Sequence, residues 1–227
     1  MATRRTGVTA ADGAGSFVPQ DATSVDDLRK AAQGCRGCEL YENATQTVFG
    51  TGSATARVVM VGEQTGDVED RRGEPFVGPA GRLLDELMAE AGLARGDIYL
   101  TNAVKHFRFN PAPRGKRRIH RTPDRSHIVA CRPWLVAELG LLRPEILVAL
   151  GATAAGALLG PSFRVTRSRG ELLPWPDAST YAGEFPPGPR GVVATVHPSS
   201  VLRANDRDEA RAALLSDLRV VAQALAS

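Results

Sequence analysis

The sequence has no long apolar run, no disulfide framework, no phosphate loop and no internal repeat, and each absence removes a class of protein. Nothing in it approaches the ~20 consecutive apolar residues of a membrane-spanning helix, so no membrane association is expected. The opening Met-Ala-Thr-Arg-Arg-Thr-Gly is not followed by the apolar core of a secretory signal. The chain holds 3 cysteines in 227 residues, two of them as Cys35-x-x-Cys38. That is too few for a stapled extracellular fold; the spacing points to metal or redox work in a reducing compartment, and the expected location is cytoplasmic. Net charge is only +3. Glycines are plentiful between Gly62 and Gly81, but they fit neither the dinucleotide pattern G-x-G-x-x-G nor the P-loop's G-K-S/T. Glu63 and Asp67 would moreover repel a pyrophosphate there.

What is present is an ordinary globular composition, 43% hydrophobic and 23% charged. Residues 1–22, rich in Gly, Ala and Thr, are expected to be a flexible leader, and residues 23–227 one domain. Ser24-Val25-Asp26-Asp27 reads as a capping-box start for a helix from Val25 to Gln33. Four apolar, β-branched-rich runs read as buried strands: Val58–Val61, Ile98–Val104, Ile146–Leu150 and Val192–Val196. Helices are expected between them at Gly81–Gly92, from a Thr122 N-cap to about Leu142, at Ala152–Leu159 and at Asp206–Leu225. Residues 160–190, rich in Pro and Gly, read as an irregular excursion. Alternating strands and helices give a three-layer α/β/α sandwich around a four-stranded parallel sheet.

In such folds ligands bind outside the carboxyl ends of the strands. Polar residues fall there repeatedly: Glu63 and Gln64 after the first strand, Asn102 in the second, and His197-Pro198-Ser199-Ser200 after the fourth. A basic cluster of Arg114, Lys116, Arg117, Arg118, Arg121 and Arg125 suits either a polyanion contact or a solvated loop.

These residues carry a resemblance. Gly62-Glu63-Gln64-Thr65-Gly66-Asp67, Glu74-Pro75-Phe76-Val77-Gly78-Pro79-Ala80-Gly81, Thr101-Asn102-Ala103-Val104-Lys105 and His197-Pro198-Ser199-Ser200-Val201-Leu202-Arg203 resemble, in order, the motifs of the uracil-DNA glycosylase superfamily. More narrowly the chain resembles the iron–sulfur branch, and Lys116-Arg117-Arg118-Ile119-His120 resembles the signature loop of its DNA-crosslinking X-type group (UdgX). Position 65 departs from the pattern, with Thr where a Pro is expected.

The resemblance implies excision of uracil from DNA by a monomer that flips the base from the stack. Phe76 would stack on the uracil, Asn102 would read its O4 and N3–H edge, and His197 would hydrogen-bond O2. Gly62, Gln64 and Asp67 would line the same pocket, Gln64 through its backbone. Ser199 and Arg203 would grip the strand, and Lys116, Arg117, Arg118 and Arg121 the phosphates. Glu63 would stabilise developing positive charge. In the X-type group His120 would attack C1′ of the sugar and stay attached, leaving a single-use enzyme. The resemblance further implies a [4Fe–4S] cluster held by Cys35, Cys38, His106 and Cys131, although Cys-x-x-Cys alone suits zinc equally. His127 reads as a surface residue. Two other outcomes stay open: a glycosylase that turns over and releases uracil, and a non-catalytic iron–sulfur DNA-binding protein.

Overall fold

Each of the four apolar runs forms a strand, and side by side they make the parallel centre of one sheet. The computed structural model describes residues 13–110, 118–176, 185 and 188–227. Its strands in chain order are β1 (Thr51–Gly52), β2 (Val58–Gln64), β3 (Ile98–Val104), β4 (Phe109–Asn110), β5 (Ile119–His120), β6 (Ile146–Leu150), β7 (Leu172–Leu173) and β8 (Gly191–Thr195). Six of them form a sheet in the order β1-β3-β2-β6-β8-β7, while β4 and β5 pair as a separate antiparallel ribbon. Strands β3, β2, β6 and β8 run parallel, and β1 and β7 add antiparallel at the two edges. The expected four-stranded parallel sheet is thus the middle of a six-stranded one. Its edge strands have 2 residues each, too short to leave a hydrophobic pattern.

The helices are α1 (Val25–Ala32), α2 (Asp67–Arg72), α3 (Pro79–Glu90), α4 (Arg125–Leu142), α5 (Ala152–Leu159), α6 (Val165–Ser168), α7 (Pro198–Val201) and α8 (Arg207–Ala226). Alternate strand residues face opposite layers. Val59, Val61 and Leu147 pack under Leu28 of α1, Trp134 and Leu135 of α4 and Leu158 of α5. Val58, Met60 and Ile146 pack on the other side under Leu84 and Leu87 of α3 and Leu214 and Leu218 of α8. Both faces are covered, which is why the strands read as unbroken apolar runs rather than alternating ones.

Local chemistry sets the element ends. Ser24 and Asp27 form the expected capping box of α1. The N-cap of α4 is Asp124 rather than Thr122, and the helix starts at Arg125. His127 is the reason, and it is not a surface residue: it is buried, its Nδ1 accepts the Asp124 N–H at 2.9 Å, and its Nε2 therefore donates to Glu39 at 2.7 Å. Residues 13–22 do not behave as a loose leader. Ala14 is buried and its N–H donates to Ala130 O at 2.7 Å, while Phe17 and Val18 pack on the core. Within 160–190 the described residues include α6 and β7, so that stretch is partly regular.

Candidate active site

The carboxyl ends of β2 and β3 put Gly62 directly beside Asn102. A side chain on Gly62 would overlap both Asn102 Oδ1 and the tip of Phe76, so glycine keeps this space open. Asn102 is buried, and its Oδ1 has no hydrogen-bond partner among the described residues. A buried orphan acceptor is costly unless something else satisfies it, and a ring N–H of a bound base would. From below, the Lys105 ammonium donates to the Asn102 carbonyl at 2.9 Å and fixes the backbone that carries the amide. Lys105 is itself buried against Glu138, which also accepts from Tyr99 Oη and Thr101 Oγ1 at 3.0 Å.

Phe76 holds the left-handed backbone conformation, φ 59°, that bulky residues rarely adopt. The absence of a side chain at Gly81 makes room for its carbonyl. Such strain persists only where the surroundings enforce it, and here it presents the ring toward His197, centroids 6.3 Å apart and planes 24° apart. His197 follows β8. Burial pushes its pKa down to about 4, with Glu63 opposing and Arg203 and His120 assisting, so the ring is neutral at physiological pH. Its Nδ1 accepts the Ser199 N–H at 3.1 Å. The single ring proton consequently sits on Nε2, which is left as a donor.

His120 reaches the same place from the ribbon. Its Nε2 lies 3.2 Å from Glu63 Oε1, with the imidazole side chain 46% exposed. The other Glu63 oxygen accepts from Thr153 Oγ1. Burial alone would raise the Glu63 pKa, but the hydrogen bonds from His120 and Thr153 outweigh it and hold the carboxyl below its ordinary value. A carboxylate only accepts, so the His120 nitrogen facing Glu63 carries a proton.

The Gln64 side chain does a job that the sequence did not suggest. Its amide donates to Arg108 O at 3.1 Å and Arg121 O at 3.0 Å and accepts from Arg108 N at 2.9 Å, pinning both legs of the ribbon. Asp67 and Arg118 also depart from expectation. Arg118 pairs with Asp67 and, at 2.8 Å, with the fully buried Asp70, and its guanidinium lies 4.7 Å above the Phe109 ring. Its charge is thus balanced by two carboxylates of the protein, and Asp67 ties α2 to the ribbon. Arg121 and Arg203 are exposed and Ser199 is partly exposed. Lys116 and Arg117 lie outside the described residues.

A strained aromatic, an orphaned amide oxygen, a neutral imidazole donor and a carboxylate–imidazole pair thus converge at one sheet edge. The whole of this arrangement falls inside residues 49–219, which match the model of the uracil DNA glycosylase superfamily. The chain belongs to that superfamily. It is 37% identical over 185 residues to a type-4 uracil-DNA glycosylase of Thermotoga maritima, covering 81% of this chain and 85% of the relative. It is 35% identical to one from Pyrobaculum aerophilum, over 78% of this chain and 83% of the relative, and 32% identical to one from Saccharolobus solfataricus, over 89% and 85%.

Away from the pocket, this superfamily member gathers soft donors beneath the same strand. Cys35, Cys38 and Cys131 are all buried and unbridged. Burial pushes the Cys38 thiol up to about 11 and Cys131 up to about 12. Trp134 Nε1 donates to Cys35 Sγ at 3.2 Å and the Lys105 N–H to Cys131 Sγ at 3.3 Å. His106 is buried and neutral, its pKa pushed down to about 4 by burial. Thr47 Oγ1 gives its proton to Ala32 O at 2.8 Å, so at 2.9 Å it must accept from His106 Nε2. The lone pair of His106 is then on Nδ1, the tautomer a metal needs. Among the described residues these side chains do not converge at coordinating distance. As a donor set, three soft sulfurs and one imidazole fit an iron–sulfur group. No helix of the described residues is long and apolar enough to cross a membrane.

Proposed function

We propose that this protein is a uracil-DNA glycosylase that cuts the N-glycosidic bond of uracil in DNA and then keeps the sugar, bonded through C1′ to His120. The observation that carries the reading is the His120–Glu63 pair standing beside the Asn102–Phe76–His197 pocket. A flipped uracil has an N3–H for the orphaned Asn102 Oδ1, an O4 for the Asn102 amide, and an O2 for the His197 Nε2 donor. Cytosine presents the reverse pattern to Asn102 and leaves it unpaired. As C1′–N1 breaks, the electron pair moves onto the uracil ring, and the charge on O2 meets an aimed donor that needs no reorganisation. Positive charge on the sugar faces the Glu63 carboxylate. The lone pair of His120 then forms the new C1′–N bond, and the ring's remaining proton leaves from the nitrogen that Glu63 holds. A neutral N-alkyl imidazole is a poor leaving group, so the adduct persists.

Cys35, Cys38, His106 and Cys131 would hold a [4Fe–4S] cluster, which when bound would cross-link the loop after α1, the end of β3 and helix α4. Such a cross-link would fix the floor of the pocket and the roots of the ribbon. The closeness to the X-type group rests on Lys116-Arg117-Arg118-Ile119-His120. Turnover with release of free uracil is the competing reading, favoured by the similarity to relatives named type-4 uracil-DNA glycosylases.

One denaturing gel separates the two. Uracil-containing oligonucleotide should give a denaturation-resistant protein–DNA species, thymine-containing oligonucleotide none, and His120→Ser should abolish the species. More than one equivalent of free uracil per enzyme, with no adduct, selects turnover.

A further inference from the structure

We propose that Thr153 is a positioning residue for Glu63, orienting its carboxylate toward His120. The inference rests on the His120 reading above for its chemical meaning, but its geometry stands alone. Glu63 is the next-to-last residue of β2, and its two oxygens have different partners: Oε1 faces His120 Nε2 at 3.2 Å, and Oε2 accepts from Thr153 Oγ1. A carboxylate held at one oxygen turns about its last bond; held at both, it has one orientation.

The two supports are unequal. His120 sits half-exposed on a ribbon outside the main sheet. Thr153 is the second residue of α5, whose residues Ala154, Ala155 and Leu158 are buried in the core. The start of α5 is fixed in turn. Gly151 adopts φ +94°, its N–H donates to Thr195 O at 2.8 Å, and a side chain there would come 3.0 Å from His197 Cβ. Thr153 therefore stands on the same rigid turn that backs His197. It ties the carboxylate to the frame that holds the base-reading imidazole. A hydroxyl suits this task because it donates one hydrogen bond without adding a charge that would cancel the anion facing the sugar.

The groups facing Glu63 are His120 from the ribbon, Thr153 from α5 and His197 after β8. Burial works against ionisation of Glu63, so removing one of its two hydrogen bonds lets burial regain ground. The acid limb of the reaction then moves to higher pH. A purely packing role for Thr153 would not move it.

The test uses the full chain with Thr153→Val, which keeps the shape and removes the donor, and Thr153→Ser, which keeps the donor. Single-turnover adduct formation and uracil release are followed on a uracil-containing oligonucleotide across pH 3.5–8, with oligonucleotide affinity and melting temperature measured alongside. Expected for Thr153→Val is a loss of about tenfold or more in rate at unchanged affinity, with the acid limb raised, and recovery in Thr153→Ser. Wild-type rate and pH profile in Thr153→Val overturn the proposal, and so does a Thr153→Ser variant that folds but stays slow. If wild-type protein releases uracil without any adduct, the nucleophile assignment falls separately. Uracil release then judges Thr153 by the same two variants.

Discussion

Gly62 and Asn102 are strand neighbours with so little space between them that a methyl group on Gly62 would overlap the Asn102 amide oxygen. The same methyl would crowd Phe76 Cζ, leaving the amide no clear retreat. Gly62→Ala is therefore expected to cut uracil release by about a hundredfold, with an overpacking cost of about 1–3 kcal/mol in stability. A single-turnover assay and a urea melt check both. Wild-type release by Gly62→Ala would mean that Asn102 does not read the base.

Arg118 is committed to partners within the protein. Its partners are Asp67, Asp70 and the rings of Phe107 and Phe109, and Asp70 also accepts the Thr45 N–H at 3.1 Å. Removing the guanidinium leaves a buried carboxylate without a cation and loosens the strand that carries His120. Arg118→Ala should slow uracil release while leaving the salt dependence of DNA binding as it is. Arg121→Ala, at an exposed position, should lower the log–log salt slope by about 1. Equal slope changes in the two variants would return Arg118 to the phosphate backbone.

That assignment marks where the sequence stops being informative. The strands are legible because Val58–Val61 and Ile146–Leu150 are buried on both faces and cannot be anything but apolar. The capping box at Ser24 and Asp27 is legible because its partners lie three residues apart. Arg118 and Asp67 are separated by 51 positions, and a basic run looks the same whether its charges meet phosphates or carboxylates. Thr153 leaves no signal either, since a threonine in the first turn of an Ala-rich helix is unremarkable by pattern. His127 was hidden for a related reason: its partner Glu39 lies 88 positions away. Motifs carried the residues proposed to touch the base; the hydrogen bonds that aim them join positions too far apart in the chain to leave a pattern.

Lys105 and Glu138 form a fully buried ion pair under the pocket, with Thr101 sharing both partners. Lys105→Met strands the Glu138 carboxylate and is expected to cost about 3–5 kcal/mol. Replacing both with Met should recover much of that stability, since hydrophobic pairs often substitute for buried ions. Uracil release should stay depressed in the double variant, because the hydrogen bond to the Asn102 carbonyl is still missing. A double variant as active as wild type would reduce Lys105 to a purely structural residue.

His197 links stability to pH with a definite sign. Its ordinary value is 6.5 and burial brings it to about 4 in the fold. Above 6.5 neither the folded nor the unfolded chain protonates it and nothing is lost. Between 6.5 and 4 the unfolded chain binds a proton that the folded one refuses, so stability falls as pH falls, by at most about 3 kcal/mol at ~1.4 kcal/mol per pH unit. His106 titrates in the same direction in any comparison of variants. The difference between wild type and His197→Asn in urea melts at pH 7 and pH 5 isolates the His197 share. An unchanged slope in His197→Asn would place that imidazole in water rather than in the pocket wall.

The donor set beneath β3 gives the sharpest metal prediction. Burial keeps the Cys38 and Cys131 thiols protonated at neutral pH unless a cation claims them, and the N–H groups of Trp134 and Lys105 already point at Cys35 Sγ and Cys131 Sγ. Protein purified without oxygen should be brown and carry about 4 irons per chain. Cys131→Ala should lose the colour and melt lower, because the loop after α1 is then no longer tied to α4. His106→Cys should keep the iron and lower the reduction potential, since thiolate donates more charge to iron than imidazole does. If His106 served only as a hydrogen-bond donor to Thr47 Oγ1, His106→Cys and His106→Gln would both leave the potential unchanged. A colourless protein holding a single zinc would end the iron assignment, while leaving the pocket above it untouched.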